Sequence, residues 1–413
     1  MSTPRSAARA NQGSPTVGRI RAAFVAQAVL VGAAVVIYGL VLSQGGLHQQ
    51  DFSVYLNAAR DLIHGQPLYA AFLHHAFPDA TLRPAYIYPP SFALLVAPLG
   101  LLPDGLAAAA WMAIEQASLA LAIVVVLRWL RPSGWAVTVV LLATLTFYPL
   151  WVDVVQGQAN LLVLMLVTVG IVGILRDRPA FGAAIGAAAA LKLTPLILVV
   201  WLLLDRRFRA AAFVLGGFAL LTCAGALLRF QDTVAYVAQV LPALAAGTAF
   251  YANQSLAGLL DRVLSANAYT DPWIVVPWVT MLLIAAAAVG LIAWWWWQTR
   301  DQPAPARAAA FIPLIPLLSS VTWTHHLVIV LPLIWLSAIA LGQRDWPPLP
   351  TAVISAVLLL YSVVSRWPVG PAFGHAGFRA AQTMEPVVFI AANSLFFATL
   401  ILFLCAPWLL RSR

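Results

Sequence analysis

Residues 22–42 read AAFVAQAVLVGAAVVIYGLVL, and residues 51–55 read DFSVY. The first stretch is long enough to cross the hydrocarbon core of a bilayer, which takes about 20 apolar residues. Arg9 and Arg19 precede it, and no clear small-x-small cleavage site follows it. It is therefore predicted to be an uncleaved first membrane helix with its N-terminus inside, which puts Asp51 on the outer side.

The rest of the composition extends this prediction to the whole chain. Of 413 residues, 62% are hydrophobic and only 9% are charged. Apolar composition at this level predicts an all-α polytopic membrane protein, because only helices and closed barrels satisfy their backbone in lipid and barrel alternation is absent. The net charge of +9 lies in short clusters between apolar runs, which indicates positive-inside topology and no nucleic-acid partner. Cys223 and Cys405 lie within apolar runs and predict neither a disulfide nor a metal site.

The predicted organisation is a disordered cytoplasmic tail, residues 1–20, and a single membrane domain, residues 21–410, with about 8–12 transmembrane helices. The first outer loop is expected at 43–88 and the second at 230–271. If every apolar run crosses, there are twelve spans, and Arg128 and Arg176 fall outside, against the charge rule.

A second arrangement is preferred. It treats 90–102 as re-entrant and 180–204 as a broken hairpin centred on Lys192. The arginine clusters then lie inside, and Gln156–Asn160 and Lys192 fall on the same side as Asp51.

Residues Asp51–Gly65 are predicted to form a short amphipathic helix lying on the bilayer. Phe52, Tyr55, Ala59 and Leu62 recur at helical spacing, which is typical of one apolar face. Asp51 comes at the start of this helix, where the helix dipole favours a carboxylate, so a helix cap is the plain alternative to a functional role.

Several polar residues interrupt apolar runs, where a charge costs roughly 2.5–3.5 kcal/mol on translocon scales. Lys192 precedes Thr194-Pro195 in an apolar run, so a broken helix is expected there, with a lysine suited to a phosphate. Gln156–Asn160 joins two apolar helices, and a capped helix start is the alternative. For Asn253-Gln254-Ser255 the alternative is likewise a helix N-cap.

A histidine pair, His325-His326, follows Trp323-Thr324 inside an apolar run. Adjacent histidines on a helix point about 100° apart, so they are not expected to chelate one metal. The chain contains no Walker pattern and no Gly-x-Ser-x-Gly elbow, which argues against an ATP-binding cassette protein and a serine hydrolase.

Together these groups predict a cavity open to the outer leaflet. A carboxylate could deprotonate an acceptor hydroxyl while cations stabilise a departing phosphate. That is the chemistry of sugar transfer from a lipid phosphate, with inversion at the sugar carbon. A lipid or solute transporter remains the alternative from a different class.

Seven short motifs occur in an order that resembles glycosyltransferase family 87. They are Asp51-Phe52-x-x-Tyr55, Gly65-x-x-Leu68-Tyr69, Tyr86-x-Tyr88-Pro89-Pro90, Gln156-Gly157-Gln158-x-Asn160, Lys192-Leu193-Thr194-Pro195, Asn253-Gln254-Ser255 and Trp323-Thr324-His325-His326. The resemblance implies a GT-C fold and an inverting transferase that moves a sugar, mannose or alternatively a pentose such as arabinofuranose, from a polyprenyl-phosphate donor. The acceptor is a glycolipid or glycan hydroxyl at the extracytoplasmic face of a bacterial inner membrane.

The resemblance also implies the roles of individual residues. Asp51 takes the place of the family's base, and Ser53 stands where many GT-C enzymes carry a second aspartate, so neither a metal nor another cofactor is expected. The expected catalytic residues are Asp51, His325 and His326. Those expected to bind the donor phosphate or substrate are Lys192, Arg83, Tyr55, Tyr88, Gln156, Gln158, Asn160, Asn253, Gln254 and Ser255.

Overall fold

The computed structural model describes residues 15–74, 85–366 and 369–411, and every regular element in these ranges is a helix. The α-helices are α1 Pro15–His48, α2 Gln50–Ile63, α3 Ala70–Leu73, α4 Pro90–Gly100, α5 Asp104–Leu130, α6 Gly134–Leu145, α7 Tyr148–Gln156, α8 Asn160–Leu175, α9 Gly182–Leu191, α10 Leu198–Leu204, α11 Phe208–Leu228, α12 Phe230–Ala235, α13 Leu241–Ala245, α14 Leu256–Leu264, α15 Pro277–Thr299, α16 Ala304–Phe311, α17 Leu314–Leu317, α18 Leu331–Gly342, α19 Pro348–Ser362, α20 Val369–Met384, α21 Pro386–Ala392 and α22 Ser394–Leu409. Short 3₁₀ segments are Pro179–Phe181, Thr194–Ile197, Thr324–Val330 and Val364–Arg366, and Tyr236–Val240 is a π-helical turn.

Six helices in the described ranges are long and apolar enough to cross a membrane, or eight if two bent pairs each count as one span. The bent pairs are α6 with α7, at 49°, and α21 with α22, at 70°. This confirms the predicted all-α polytopic class; six spans are fewer than the predicted 8–12, and eight are the lower end of that range. Five shorter apolar helices, among them α4, α8 and α9 with its preceding turn, fill the space between them.

The first helix begins earlier than predicted. It starts at Pro15, so residues 15–20, expected in the disordered tail, are helical, while residues 1–14 lie outside the described ranges. A proline is compatible with a first helical turn because its missing N–H has no partner there in any case.

The two ends of the helix bundle differ in which charged residues they carry. Helix α5 has 27 residues, about 40 Å at 1.5 Å per residue, so its ends lie on opposite sides. At its start Asp104 pairs with Arg60 of α2 at 2.6 Å, and at its end come Arg128 and Arg131. Helix α1 runs antiparallel to α5: the side chain of Gln27 lies near Gly134, and Gly45 packs against Val154 at the end of α7. The end that carries α2 is therefore opposite the end that carries the arginines.

The segment from Gly182 to Leu204 folds as a hairpin with Lys192 at its tip. Phe181, just before it, packs on Gly173 of α8. Arg207, just after it, donates to the carbonyl of Ile174 at 3.1 Å. Both ends of the hairpin therefore lie beside the C-terminus of α8, whereas Lys192 reaches Asn160 at the N-terminus of α8. The broken hairpin predicted for 180–204 is present.

Helix α2 forms nearly where predicted, but its apolar face packs on protein. Phe52 and Tyr55 are each 2% exposed, and Phe52 stacks on Trp111 of α5 with ring centroids 5.4 Å apart. Gly100 at the end of α4 lies against Ala59 and Ile63. The prediction that this face lies on the bilayer is therefore wrong, since α4 and α5 cover it.

Candidate active site

A cavity of about 580 Å³ lies at the end of the bundle that carries α2. Its size falls within the range of about 300–1,000 Å³ that is usual for small-ligand sites. Its walls come from segments that are distant in sequence: α2, α3, the segment before α4, the α7–α8 turn, the hairpin tip, the stretch 236–252 and the loop that leads into α18. The predicted site residues among its lining are Asp51, Tyr55, Tyr88, Gln156, Gln158, Lys192, His325 and His326.

Asp51 is half-buried in the cavity wall and does not cap its helix. The N-cap residue of α2 is Gln49, and it makes no side-chain capping bond. The Asp51 carboxylate instead accepts a hydrogen bond from the side-chain amide of Gln158. Burial raises the pKa of the Asp51 carboxyl above its ordinary value, while the Gln158 hydrogen bond and the charge of Lys192 act in the opposite direction.

Ser53, where a second aspartate is expected in many GT-C enzymes, is exposed, and its hydroxyl donates to the carbonyl of Gln50 at 2.6 Å. Within the described ranges, no group of three or more His, Cys, Asp or Glu side chains comes together as a metal site would require.

The turn between α7 and α8 brings the side-chain amides of Gln156 and Gln158 to the cavity wall. It depends on Gly157, whose φ of +68° is left-handed and whose added Cβ would lie 2.9 Å from Cβ of Phe52. Gln158 follows at once and accepts from Tyr55 Oη at 2.9 Å and from Tyr88 Oη at 3.1 Å. The hydroxyls of both tyrosines are therefore engaged within the wall.

Lys192 ends α9 and projects its ammonium group into the cavity. Nζ donates to Asn160 Oδ1 at 2.7 Å and lies 5.7 Å from the ring centroid of Tyr88. The amide nitrogen of Asn160 donates to Asp153 Oδ1 at 2.7 Å. Asn160 is not among the residues that line the cavity; its side chain links Lys192 to Asp153 behind the wall.

The histidine pair lies on a 3₁₀ segment, and both rings line the cavity, with centroids 4.7 Å apart and nearly perpendicular. His326 Nδ1 accepts from the backbone N–H of Trp323 at 3.3 Å. The proton of a neutral ring is then on Nε2, which makes that atom a hydrogen-bond donor.

Three of the predicted binding residues lie behind the wall. Asn253, Gln254 and Ser255 are at most 3% exposed and are not among the residues that line the cavity. Ser255 caps α14 by accepting from Gly258 N at 3.0 Å, which is the N-cap alternative.

Asn253 and Gln254 bond to the backbone of neighbouring segments. Asn253 donates to the carbonyls of Thr248 and Ser320, and Gln254 accepts from Phe396 N. The structure places all three in the scaffold, because their polar atoms are already satisfied there.

The last two predicted binding residues are Arg83 and Gln156. Arg83 lies outside the described ranges. Gln156 lines the cavity, and its side-chain oxygen has no hydrogen-bond partner among the described residues. That oxygen is itself buried, so Gln156 contributes to the wall without presenting this atom to the cavity.

One buried carboxylate beside the site, Glu115, was not predicted from the sequence. Glu115 of α5 accepts from the backbone N–H groups of Leu161 and Leu162 at 3.0 and 3.3 Å. It thereby caps the N-terminus of α8 from a neighbouring helix, next to the turn that carries Gln158. Its signal in the sequence was a lone carboxylate within an apolar run.

The sequence profile of Glycosyltransferase family 87 matches residues 86–320, more than half of the chain. The chain belongs to glycosyltransferase family 87. The match includes Tyr88, the α7–α8 turn and Lys192. The helical, multi-pass fold agrees with the GT-C architecture that the resemblance implied, and family membership makes the chain a glycosyltransferase.

Characterised relatives extend the match beyond residues 86–320. The polyprenol-phosphate-mannose-dependent alpha-(1-2)-phosphatidylinositol pentamannoside mannosyltransferase of Mycobacterium tuberculosis (strain CDC 1551 / Oshkosh) is 31% identical over 391 residues, which cover 89% of this chain and 85% of the relative. The phosphatidylinositol mannoside mannosyltransferases of M. tuberculosis (strain ATCC 25618 / H37Rv) and Mycolicibacterium smegmatis (strain ATCC 700084 / mc(2)155) are each 28% identical, covering 77% and 71% of this chain and 75% and 70% of their own lengths. No solved structure matches the chain significantly.

Proposed function

We propose that this glycosyltransferase moves mannose from a polyprenyl-phosphate carrier to a hydroxyl group of a mannosylated phosphatidylinositol or a similar glycolipid. The observation that carries the proposal is a single cavity in which a carboxylate, Asp51, lies together with Lys192, His325 and His326. The donor and acceptor classes come from the names of the mycobacterial relatives.

In the proposed reaction Asp51 is the general base. It takes the proton of the acceptor hydroxyl while the hydroxyl oxygen attacks the anomeric carbon. The bond from that carbon to the phosphate oxygen breaks, and its electron pair leaves with the polyprenyl phosphate. Lys192 and Nε2–H of His326 stabilise the charge on the departing phosphate. A single displacement of this kind inverts the anomeric configuration.

The reaction is assigned to the extracytoplasmic face of the bacterial inner membrane. The support is the opposition of the two ends of the bundle. Arg128 and Arg131 end α5, Arg176 follows α8, and Arg207 contacts the same end of α8. Because arginines accumulate on the cytoplasmic side, the opposite end, with α2 and the cavity, faces outward.

Substitution of the base tests the proposal. Purified Asp51→Asn protein, supplied with polyprenyl-phosphate-mannose and a phosphatidylinositol mannoside, is expected to lose transfer by about 10²–10⁴-fold, the usual contribution of a general base. Binding of radiolabelled donor should persist, because Lys192 and the histidines are intact.

Asp104→Asn is a matched control, since Asp104 lies at the same end of the bundle, is 81% exposed and pairs only with Arg60 among the described residues. It should transfer at the wild-type rate. Near-normal transfer by Asp51→Asn would overturn the assignment.

A further inference from the structure

Two side-chain amides of the turn Gln158-Ala159-Asn160 bond to the two opposite charges of the site. One amide presents its NH₂ group to the carboxylate, and the other presents its oxygen to the ammonium group. Gln158 presents its NH₂ group to the carboxylate of Asp51, and Asn160 presents its carbonyl oxygen to the ammonium group of Lys192. The other half of each amide is also occupied: Oε1 of Gln158 accepts from tyrosine hydroxyls, and Nδ2 of Asn160 donates to Asp153.

The orientation of the Gln158 amide follows from its neighbours. Tyr55 Oη and Tyr88 Oη are 2.9 Å apart and lie 2.9 and 3.1 Å from Gln158 Oε1. Each hydroxyl carries one proton, and three oxygens share the two protons. A rotated amide would point NH₂ at the hydroxyls and Oε1 at the carboxylate, which would leave two acceptors facing each other. The acceptor-only carboxylate therefore decides that the NH₂ end of the amide faces Asp51, and the two tyrosine hydroxyls, by donating to Oε1, hold the other end of the amide in place.

The tyrosine pair is itself immobile. Tyr55 is 2% exposed and Tyr88 8%. Their rings meet edge to face at 5.0 Å, and each packs on Phe92 at under 5 Å. Because buried aromatic rings held on several sides lose little further entropy when they bond, they fix the amide at small cost.

We propose that Gln158 is a positioning residue rather than a ligand for the substrate: clamped by Tyr55 and Tyr88, it aims the Asp51 carboxylate into the cavity and keeps it ionised. This inference rests on the proposed role of Asp51 as general base. It reassigns Gln158 and both tyrosines, since their hydrogen-bonding atoms serve the carboxylate.

Loss of the Gln158 hydrogen bond should change the pH dependence of the transfer rate. A donated hydrogen bond favours the ionised carboxylate, so its loss raises the pKa of Asp51. A base works only when ionised, so the acid side of the pH–rate profile moves to higher pH. The other titratable groups that face Asp51 or share its cavity stay in place in such a variant; they are Lys192, Asp153, Tyr55, Tyr88, Tyr236, His325 and His326.

Purified full-length Gln158→Met keeps the length of the side chain and removes the amide. We expect the acid limb of kcat/KM for the acceptor to move upward by about one to two pH units, and the plateau to fall roughly tenfold, as for one hydrogen bond to a charged group. KM for polyprenyl-phosphate-mannose should change little. An acid limb at the wild-type pH, or a loss confined to donor KM, would overturn the inference.

A second variant keeps the test open if Gln158→Met fails to fold. Tyr55→Phe/Tyr88→Phe releases the amide without touching it, and should move the acid limb in the same direction, while each single variant moves it less. Tyr86→Phe is the control: its hydroxyl donates to the carbonyl of Pro89 at 2.9 Å in the same aromatic cluster, and its profile should equal wild type. A double variant with the wild-type limb would contradict the clamp.

Failure of this inference is distinct from failure of the proposed function. If Asp51→Asn transfers at a normal rate and retains the acid limb, the base assignment fails and takes the inference with it. If Asp51→Asn is inactive while both sets of variants keep the wild-type limb, only the role of Gln158 fails.

Discussion

Asp51 and Lys192 line one cavity with opposite charges, yet among the described residues they do not form an ion pair with each other. Two buried charges in contact would largely neutralise each other and leave neither free for a substrate. Each is held instead by a neutral amide, Gln158 or Asn160. In the proposed mechanism this leaves the carboxylate free to act as the base and the ammonium group free to bind phosphate.

The role of Lys192 can be measured separately. Lys192→Met removes the charge at nearly constant volume and should raise KM for polyprenyl-phosphate-mannose about tenfold or more, as expected for one charge-assisted hydrogen bond to phosphate. KM for the acceptor should change much less. Initial rates with both substrates varied separate the two constants.

Arg60→Met is the control for this experiment. It removes a cation at the same end of the bundle, where Arg60 pairs with the exposed Asp104, and should leave both constants unchanged. Equal losses for donor and acceptor in Lys192→Met would indicate a packing role for the lysine.

Individual residues were predictable to the extent that polar groups are costly in apolar runs. That rule identified Lys192 and the histidine pair, and all three residues line the cavity together with Asp51, which was singled out as a carboxylate just after the first span. It could not separate a polar group that faces a ligand from one satisfied inside the scaffold. Asn253 and Asn160 share the same signal, but partners distant in sequence, such as Ser320 and Lys192, satisfy their side chains.

At the scale of elements, helices α9 and α11 pack so closely that glycine is required. A Cβ on Gly186 would lie 2.2 Å from the carbonyl oxygen of Val214, and one on Gly217 2.8 Å from that of Ala183. The hairpin that carries Lys192 is therefore held against α11 through backbone contact, as small residues allow in membranes.

Gly186→Ala should consequently destabilise the protein by about 1–3 kcal/mol, the usual cost of overpacking. Gly216→Ala is the matched control, because a Cβ there meets nothing within 4 Å and alanine favours a helix by up to about 1 kcal/mol. Thermal unfolding in detergent compares them: Gly186→Ala should melt well below wild type, and Gly216→Ala at or above it. Equal melting temperatures for the two variants would contradict the close packing.

Elements were predicted well where composition is uniform and poorly where helices break. Helices α5, α11 and α15 coincide with long apolar runs, because length and hydropathy determine a span. The bend between α6 and α7 lies at Thr146-Phe147, within an apolar run, and Pro149 falls in the first turn of α7, where a proline is compatible with a helix start. Helix α20 was missed, because Gly and Pro weaken its pattern.

At the scale of the whole molecule, sidedness is open to direct measurement. In a background without Cys223 and Cys405, His64→Cys adds a thiol after α2 and Arg176→Cys adds one after α8; both positions are exposed. In intact cells a membrane-impermeant maleimide should label the first and reach the second only after permeabilisation. Labelling of both in intact cells would favour the arrangement with twelve spans and contradict the proposed orientation.

The arrangement of the whole chain was predictable only through charge. The positive-inside rule favoured a hairpin at 180–204, and the structure contains it. Apolar runs do not predict which helices contact each other, because a face that packs on protein and a face that lies in lipid have the same apolar composition. The burial of α2 beneath α4 and α5 depends on aromatic contacts such as Phe52 with Trp111, which periodicity alone does not reveal.

The tip of the hairpin also imposes an order on biosynthesis. Asn160, the partner of Lys192, is 32 residues upstream, whereas Gln158, the partner of Asp51, is 107 residues downstream. Because a chain is synthesised from its N-terminus, Asn160 is already present when Lys192 is inserted. The ammonium group can therefore enter the membrane with a hydrogen-bond acceptor beside it, which lowers the cost of inserting the charge. The aspartate has no such partner until the turn between α7 and α8 has been synthesised. Lys192 can therefore bond to its partner as soon as it is inserted. Asp51 is the first charged group of the site to be synthesised, and its partner follows only 107 residues later.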